Sequence, residues 1–352
     1  MTFAVAVSGG QDSLYALLAL RDAFGASAVF AVHARFRRET DSAVESGLAA
    51  VCKKLEVAFH IVDLRDQFHA LVVRPFAESY ARGETPNPCA HCNRRLKFGL
   101  LLDEARKLGA EKLATGHYAD FTEHPRYGVV LRRGADPGKD QSYFLALTPA
   151  GRLRAAFFPL GTMQKKHVCE ALEQRGMPVP APGESQEICF VPHDDYRAFL
   201  RTTGIRLPEG GPMVTGEGLV VGRHQGLWQY TEGQRRGLGV SWTEPLYVVG
   251  KDRARNALLL GTAAELKVGR CVAAEINLLV PPELWPNDLF VRIRYRQSAV
   301  PADVRIQGPA SASARMLIRF HTPQLPAAPG QIAVVYDAEG CVLAGAVLRK
   351  DS

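Results

Sequence analysis

The apolar positions of the chain fall first into short, nearly continuous runs that alternate with stretches of helical spacing. Phe3 to Val7 is apolar throughout, as a strand covered on both faces would be. From Leu14 to Phe24 the spacing turns helical, with Leu14, Leu17, Leu18 and Phe24 on one side. Ser27 to His33 repeats the strand pattern. Asp41 to Leu55 reads as a helix carrying Val44, Leu48, Val51 and Leu55. Ala58 to Val62 predicts a third strand and Phe68 to Ala81 a helical segment. Lys97 to Leu108 predicts another helix, and Lys112 to Thr115 a short strand ending at Gly116-His117-Tyr118. Repeated βα units imply an α/β fold, a doubly wound parallel sheet whose ligands sit beyond the carboxyl ends of its strands.

The pattern then changes. Pro178, Pro180 and Pro182 around Gly183 break the helical reading after Met177. From about Gly210 short β-type runs lie between glycines, at Gly218 to Gly222, Leu246 to Val249 and Ala257 to Leu260, predicting a small β-rich central domain. From about Lys267 the runs lengthen: Phe290 to Tyr295, Met316 to Phe320, Gln331 to Tyr336 and Val342 to Leu348 predict a C-terminal antiparallel β-barrel. The domains expected are 1–205, 206–266 and 267–352. Read as one strand, Phe290 to Arg296 lines up Arg292, Arg294 and Arg296 and, with Arg305, offers phosphates a basic face. A merely solvated barrel face is the alternative.

Composition narrows the class. Among 352 residues 47% are hydrophobic and 22% charged, an ordinary globular mix, and no apolar run approaches the roughly 20 residues of a membrane span. The N-terminus enters a strand at once, leaving no room for a signal peptide. Seven cysteines without a secretion signal read as cytosolic thiols, so a cytoplasmic protein with no membrane partner is expected. A net charge of +7 and a pI near 9.1 are compatible with a nucleic-acid partner without establishing one.

The chemistry begins at Ser8-Gly9-Gly10-Gln11-Asp12-Ser13. A Gly-Gly corner between strand and helix brings bare amides close to a ligand, and the helix adds the positive end of its dipole. No Lys follows as in G-x-x-x-x-G-K-[ST], and the spacing of G-x-G-x-x-G is absent. A capped tight turn is the plain alternative. The residues resemble the S-G-G-x-D-S loop of the PP-loop ATP pyrophosphatases, which split ATP into AMP and pyrophosphate and activate a substrate oxygen. The resemblance implies ATP as cosubstrate and Asp12 as the holder of Mg²⁺.

The second informative stretch is Thr85-Pro86-Asn87-Pro88-Cys89-Ala90-His91-Cys92-Asn93. Its two prolines predict a rigid loop outside any helix, entering the helix at Lys97. Cysteines near that helix N-terminus are expected to have lowered pKa values. Cys189, in Glu184-Ser185-Gln186-Glu187-Ile188-Cys189-Phe190, is the distant partner. A zinc ribbon would need a second C-x-x-C. An incidental thiol pair at Cys89 and Cys92 stays open, and Cys52, Cys169, Cys271 and Cys341 read as buried thiols.

With these thiols the chain resembles the tRNA-specific 2-thiouridylases of the MnmA type, PP-loop enzymes acting on the anticodon wobble uridine. The match runs through Thr115 to Tyr118, Lys139 to Leu145, Ile188 to Phe190, Tyr230 to Leu238, Arg294 to Gln297 and Pro329 to Gln331. The resemblance implies Cys92 as nucleophile and Cys189 as persulfide carrier. It places ATP at Ala6, Val7, Ser8, Gly9, Gly10, Gln11, Asp12, Ser13, Val32 and Gly116. It sets Asn87, Pro88 and Cys89 near the target uracil, and His117, Lys139, Asp140, Gln141, Arg294, Tyr295 and Gln331 against tRNA. A solvated turn for Lys139-Asp140 and a strand-end hydrogen bonder for His117 are the alternatives. Implied partners are tRNAs for lysine, glutamate and glutamine, and a sulfur donor: a cysteine desulfurase, a relay protein or free hydrosulfide.

Two departures stand out. Many family members carry Asp where Cys89 stands, so Cys89, Cys92 and Cys189 offer three thiolates. They admit a [4Fe–4S] cluster with one open iron in place of a persulfide relay. Arg35 to Thr40 is less acidic than the family's segment. Rival readings are an amidotransferase-type synthetase, a tRNA lysidine synthetase, or a tRNA-binding module without activity.

Overall fold

In the computed structural model, which describes residues 1–37, 42–181, 188–308 and 314–350, the apolar run at the N-terminus forms strand β1 (Phe3–Ala6). Phe3, Ala4 and Val5 are wholly buried, because helices cover both faces of the sheet. The other strands of this sheet are β2 (Val29–Arg35), β3 (Ala58–Asp63), β4 (Lys112–Ala114) and, after the hairpin of β5 (Ala119–His124) and β6 (Gly128–Arg133), β7 (Ala156–Phe157). Their order is β3-β2-β1-β4-β7 and every pairing is parallel. The connections go one way from β1 to β2 and β3 and then cross to β4. The chain reverses between β1 and β4, where a doubly wound sheet opens a ligand crevice.

The second sheet holds β8 (Gly211–Thr215), β9 (Val220–His224), β10 (Tyr247–Asp252) and β11 (Ala257–Gly261) in the order β10-β11-β8-β9. The remaining strands are β12 (Val268–Leu278), β13 (Phe290–Arg292), β14 (Val300–Gln307), β15 (Arg315–Gln324), β16 (Ile332–Tyr336) and β17 (Val342–Arg349). They close an antiparallel barrel, β12-β15-β14-β13-β16-β17. The barrel docks on the first unit through directed bonds: Tyr143 donates to the Ile332 carbonyl at 2.9 Å, and the Asn277 amide to those of Ala146 and Thr148. No described helix is long and apolar enough to cross a membrane.

Four expectations need correction. The first helix starts at Gln11, so Gln11, Asp12 and Ser13 are its first turn, not loop. Phe24 at its end is 47% exposed and covers the edge of Phe3 instead of entering the core. Pro88 to Cys92 is helical: Pro88 takes the first helical position, where a missing N–H costs nothing, and the Asn87 side chain caps the Ala90 amide at 3.1 Å. Strand β13 stops at Arg292, and a turn follows, so Arg292, Arg294 and Arg296 share no strand face. The β5–β6 hairpin, β8 and β14 lay unread in the sequence. Asp41, Pro182, Gly183 and Glu184 to Glu187, and the Arg38 to Thr40 part of the basic segment, lie outside the described residues.

Candidate active site

The crevice between β1 and β4 is built by small residues at close quarters. After β1 the chain turns at Gly9, whose φ of 87° is left-handed backbone natural to glycine. Ser13 ties the turn together: its hydroxyl donates to the Gly10 carbonyl at 2.9 Å, accepts from the Ser8 amide at 3.1 Å and lies 3.3 Å from the Ser8 hydroxyl. No side chain caps this 14-residue helix, so its first-turn amides stand ready for an anion. Ala6 pairs with Val32, and Val7 donates to the Val32 carbonyl while His33 Nδ1 meets the Val7 carbonyl at 2.8 Å. Val32 thus backs the turn from behind. From the β4 side, Gly116 lies against the helix backbone so closely that a Cβ would stand 2.7 Å from the Asp12 carbonyl carbon.

Asp12 is held from two sides. Its Oδ1 accepts from the Tyr118 hydroxyl at 2.8 Å and from Lys165 Nζ at 2.6 Å. Burial and the Asp12 charge push the Tyr118 phenol far above its ordinary value, so it stays a donor. The amide of Lys165, which opens its own helix, donates to Asp136. An ammonium ion and a carboxylate therefore sit at the mouth of an amide-lined turn, where a polyphosphate and its counter-ion would be received.

The thiols stand one strand-end away. Cys92 is buried, Cys89 partly so, and Cys189 is exposed. The three feel one another and Lys97 electrostatically, which brings the distant Cys189 to the helix of the other two. Their acidity is not lowered as the sequence suggested. Burial pushes Cys92 up to about 12 and Cys89 to about 11, and Lys97 offsets it only in part. The helix end helps little because Cys92 lies past its first turn. Lys97 Nζ is 3.4 Å from His117 Nε2, and His117 Nδ1 is 2.7 Å from the Thr115 hydroxyl. Burial first, and Lys97 second, keep His117 neutral.

The expected RNA contacts divide. Asp140 is 4% exposed and fully engaged: it accepts from the amides of Gly134 and Ser142 and from Arg292 Nη1 at 3.1 Å. Gln141 closes the same loop by accepting from the Tyr118 amide. Asn87 is buried as a helix cap and Pro88 beside it. These hold the site together from inside. Tyr295 packs its ring 4.4 Å from that of Phe144. Lys139 is half-buried at the mouth of the loop. Arg294, which donates to the Glu232 carbonyl, lines a cleft of about 480 Å³ with Gln331, Thr85, Arg197, Thr231 and Gln234, where all three sheets meet. Gln331 donates there to the Thr85 carbonyl at 2.9 Å.

Lys97, Tyr118 and Lys165 went unassigned in the sequence. Tyr118 stood in a quoted motif beside Gly116, a usable signal. Lys165 is 153 residues from Asp12, and no spacing rule links them.

Known proteins resolve what this arrangement belongs to. A family model described as the tRNA methyl transferase HUP domain matches residues 1–193, its PRC-barrel domain residues 198–262, and an aminomethyltransferase β-barrel domain residues 268–348. The tRNA-specific 2-thiouridylase MnmA of Lawsonia intracellularis is 55% identical over 351 residues, 100% of both chains. The chain belongs to the tRNA-specific 2-thiouridylase family. The MnmA of Nitratidesulfovibrio vulgaris strain Miyazaki F is 53% identical over 354 residues, 99% of each chain. A glutamine-dependent NAD⁺ synthetase of Acinetobacter baumannii aligns at a TM-score of 0.33 and 18% identity over 58% of this chain and 37% of its own, too slight to bear on function.

For a 2-thiouridylase, the donor sets differ in what they fit. Asp12, at the helix start beside the amide-lined turn, suits a Mg²⁺ ion brought in with ATP. The cysteines suit a cluster less well: among the described residues no group of three or more His, Cys, Asp or Glu side chains is placed to hold a metal ion.

Proposed function

We propose that this protein is a tRNA-uridine 2-sulfurtransferase that adenylates the C2 oxygen of the anticodon wobble uridine and then replaces it by sulfur. One observation carries the reading. Three consecutive residues bridge the two halves of the chemistry: Gly116 packs on Asp12, His117 meets Lys97 of the thiol helix, and Tyr118 donates to Asp12. Nucleotide turn and thiols are thereby neighbours across one strand end.

The turn at Ser8 to Ser13 receives the phosphates of ATP, with Ala6, Val7, Val32 and Gly116 shaping its floor. Lys165 and Asp12 face the pyrophosphate that leaves, and Mg²⁺ on Asp12 supplies charge neutralisation when bound. A C2 carbonyl oxygen is a poor leaving group until adenylated, after which sulfur displaces AMP. The exposed Cys189 takes a sulfane sulfur from a donor, whether a desulfurase, a relay protein or hydrosulfide with an oxidant. Its terminal sulfur attacks C2 and AMP departs. The buried Cys92 then attacks the Cys189 sulfur, freeing the thiolated base and leaving a Cys92–Cys189 disulfide for an external thiol to reduce. This relay is preferred to a [4Fe–4S] cluster because the described donors do not assemble one. Iron and sulfide analysis after anaerobic purification checks it, and stoichiometric iron with iron-dependent activity would reverse the choice.

The rest of the reading follows the family. The substrates are tRNAs for lysine, glutamate and glutamine, entering over the cleft of Arg294 and Gln331, in the cytoplasm. The domains are 1–205, 206–266 and 267–352. Mass spectrometry of wobble nucleosides from cells lacking the gene is the test: 2-thiouridine should vanish, and unchanged levels without a redundant enzyme would refute the assignment. No observation favours an amidotransferase-type synthetase, a lysidine synthetase or an inactive binding module.

A further inference from the structure

The helix that carries Cys89 and Cys92 does not run regularly into Lys97. From Asn93 to Leu101 it is wound wide, and the amide of Leu102 reaches back to the Lys97 carbonyl, an i→i+5 bond of the π-helical kind. In a regular α-helix residues five apart stand about 140° apart around the axis, which would turn Lys97 away from Cys92. Wide winding uses more residues per turn and brings positions five apart toward one face. Gly99, at φ −96° and ψ −106°, absorbs the irregularity where the winding ends.

Lys97 is then fixed at its tip. His117 is buried and neutral, so the ammonium donates to Nε2, and the Nδ1 hydrogen goes to the Thr115 hydroxyl; the tautomer is assigned from these partners. The groups that bear on the Cys92 sulfur come from several elements. Cys89 shares its helix, Cys189 arrives from the segment before Phe190 with Arg37 acting on it, and His117 stands at the end of β4 without charge. The two neighbouring thiols oppose ionisation of Cys92, whereas Lys97 favours it.

We propose that Lys97 is a positioning residue that makes the buried Cys92 thiol ionisable, and that the wide turn serves to bring it over that sulfur. The inference rests on the reading of Cys92 as a reacting thiol. The ammonium stays protonated throughout. When Cys92 ionises, its proton leaves to solvent and Lys97 meets the negative charge left on sulfur.

The test follows alkylation of Cys92 by iodoacetamide against pH in the full-length protein, read by peptide mass spectrometry, with Cys271 as internal reference. Lys97→Gln should raise the Cys92 midpoint by about one pH unit, the usual effect of removing one nearby opposite charge. Lys97→Arg should restore it, while Cys271 stays put. Lys97→Met keeps the apolar stem and replaces the Gln variant if that one melts early. An unchanged Cys92 midpoint in a variant that melts like the parent would overturn the proposal. Thiolation by Cys92→Ser separates the two layers: retained activity would end the role of Cys92 in the reaction, while the alkylation shift would still decide for or against Lys97.

Discussion

Lys165 places its ammonium 2.6 Å from Oδ1 of Asp12, at the first turn of a helix that begins 153 residues earlier. Both side chains are less than one-third exposed, so solvent screens the pair only in part. In the proposed reaction the pair opens toward the departing pyrophosphate. Replacing Lys165 with Met should lower tRNA-dependent ATP cleavage by about 100-fold, the scale of one lost preorganised charge. AMP release in a single-turnover assay checks it, and a rate within the range of the parent would remove Lys165 from the chemistry.

The division of labour between exposed and buried thiol gives a second expectation. Cys189→Ser and Cys92→Ser should each abolish 2-thiouridine formation and leave tRNA-dependent ATP–pyrophosphate exchange standing. Loading with sulfane sulfur should fail only in Cys189→Ser. Persulfide on Cys92 in that variant would reverse the assignment of the two.

Gly116 leaves no room for a side chain: a Cβ would meet the Asp12 and Ser13 backbone at 2.7 to 2.9 Å. Backbone cannot yield as a flexible side chain does. Gly116→Ala should cost about 1–3 kcal/mol in denaturant unfolding and weaken ATP binding at the same time. Unaltered stability together with unaltered ATP affinity would contradict the close approach.

The pair of Arg292 and Asp140 is deeply buried, with side chains 11% and 4% exposed. Asp140→Ala strands a guanidinium and two amides, and should destabilise by about 3–5 kcal/mol. Urea midpoints measure this directly. Were Asp140 chiefly an RNA contact, the variant would melt like the parent and lose only tRNA affinity.

Acid sensitivity should come from two histidines. Burial lowers His117 well below its ordinary 6.5 and His91 to about 4. The unfolded chain therefore binds protons that the folded one refuses, and stability falls as pH drops below 6.5. For His91 the loss runs from 6.5 down to about 4, and for His117 it continues lower, each at about 1.4 kcal/mol per pH unit. Melting temperatures across this range should flatten below 6.5 in His117→Gln relative to the parent.

Local pattern carried the sequence reading as far as local forces decide the outcome. Phe3 to Ser13 was legible because a buried strand, a Gly-Gly corner and an amphipathic helix each leave a short-range signature. Pro88 to Cys92 misled because proline forbids a helix interior and yet suits its first position, and only the Asn87 cap distinguishes the two. Arg292 looked like a surface charge, since alternation along a strand says nothing about a partner such as Asp140, 152 residues away. The acidity of Cys92 was misjudged for a related reason: the dipole is written in the local sequence, whereas burial depends on everything packed around the sulfur.

The strap between Thr85 and the C-terminal barrel couples regions far apart in the chain. Thr85 donates to the Pro329 carbonyl, Gln331 donates back to Thr85, and Gly330 lies 3.2 Å short of holding a Cβ there. The entry to the cysteine helix is thus clamped by the last quarter of the protein. A truncated chain ending before β12 would keep its nucleotide turn, whose supports are all N-terminal, and lose the geometry of sulfur delivery. Such a fragment should burn ATP without making product.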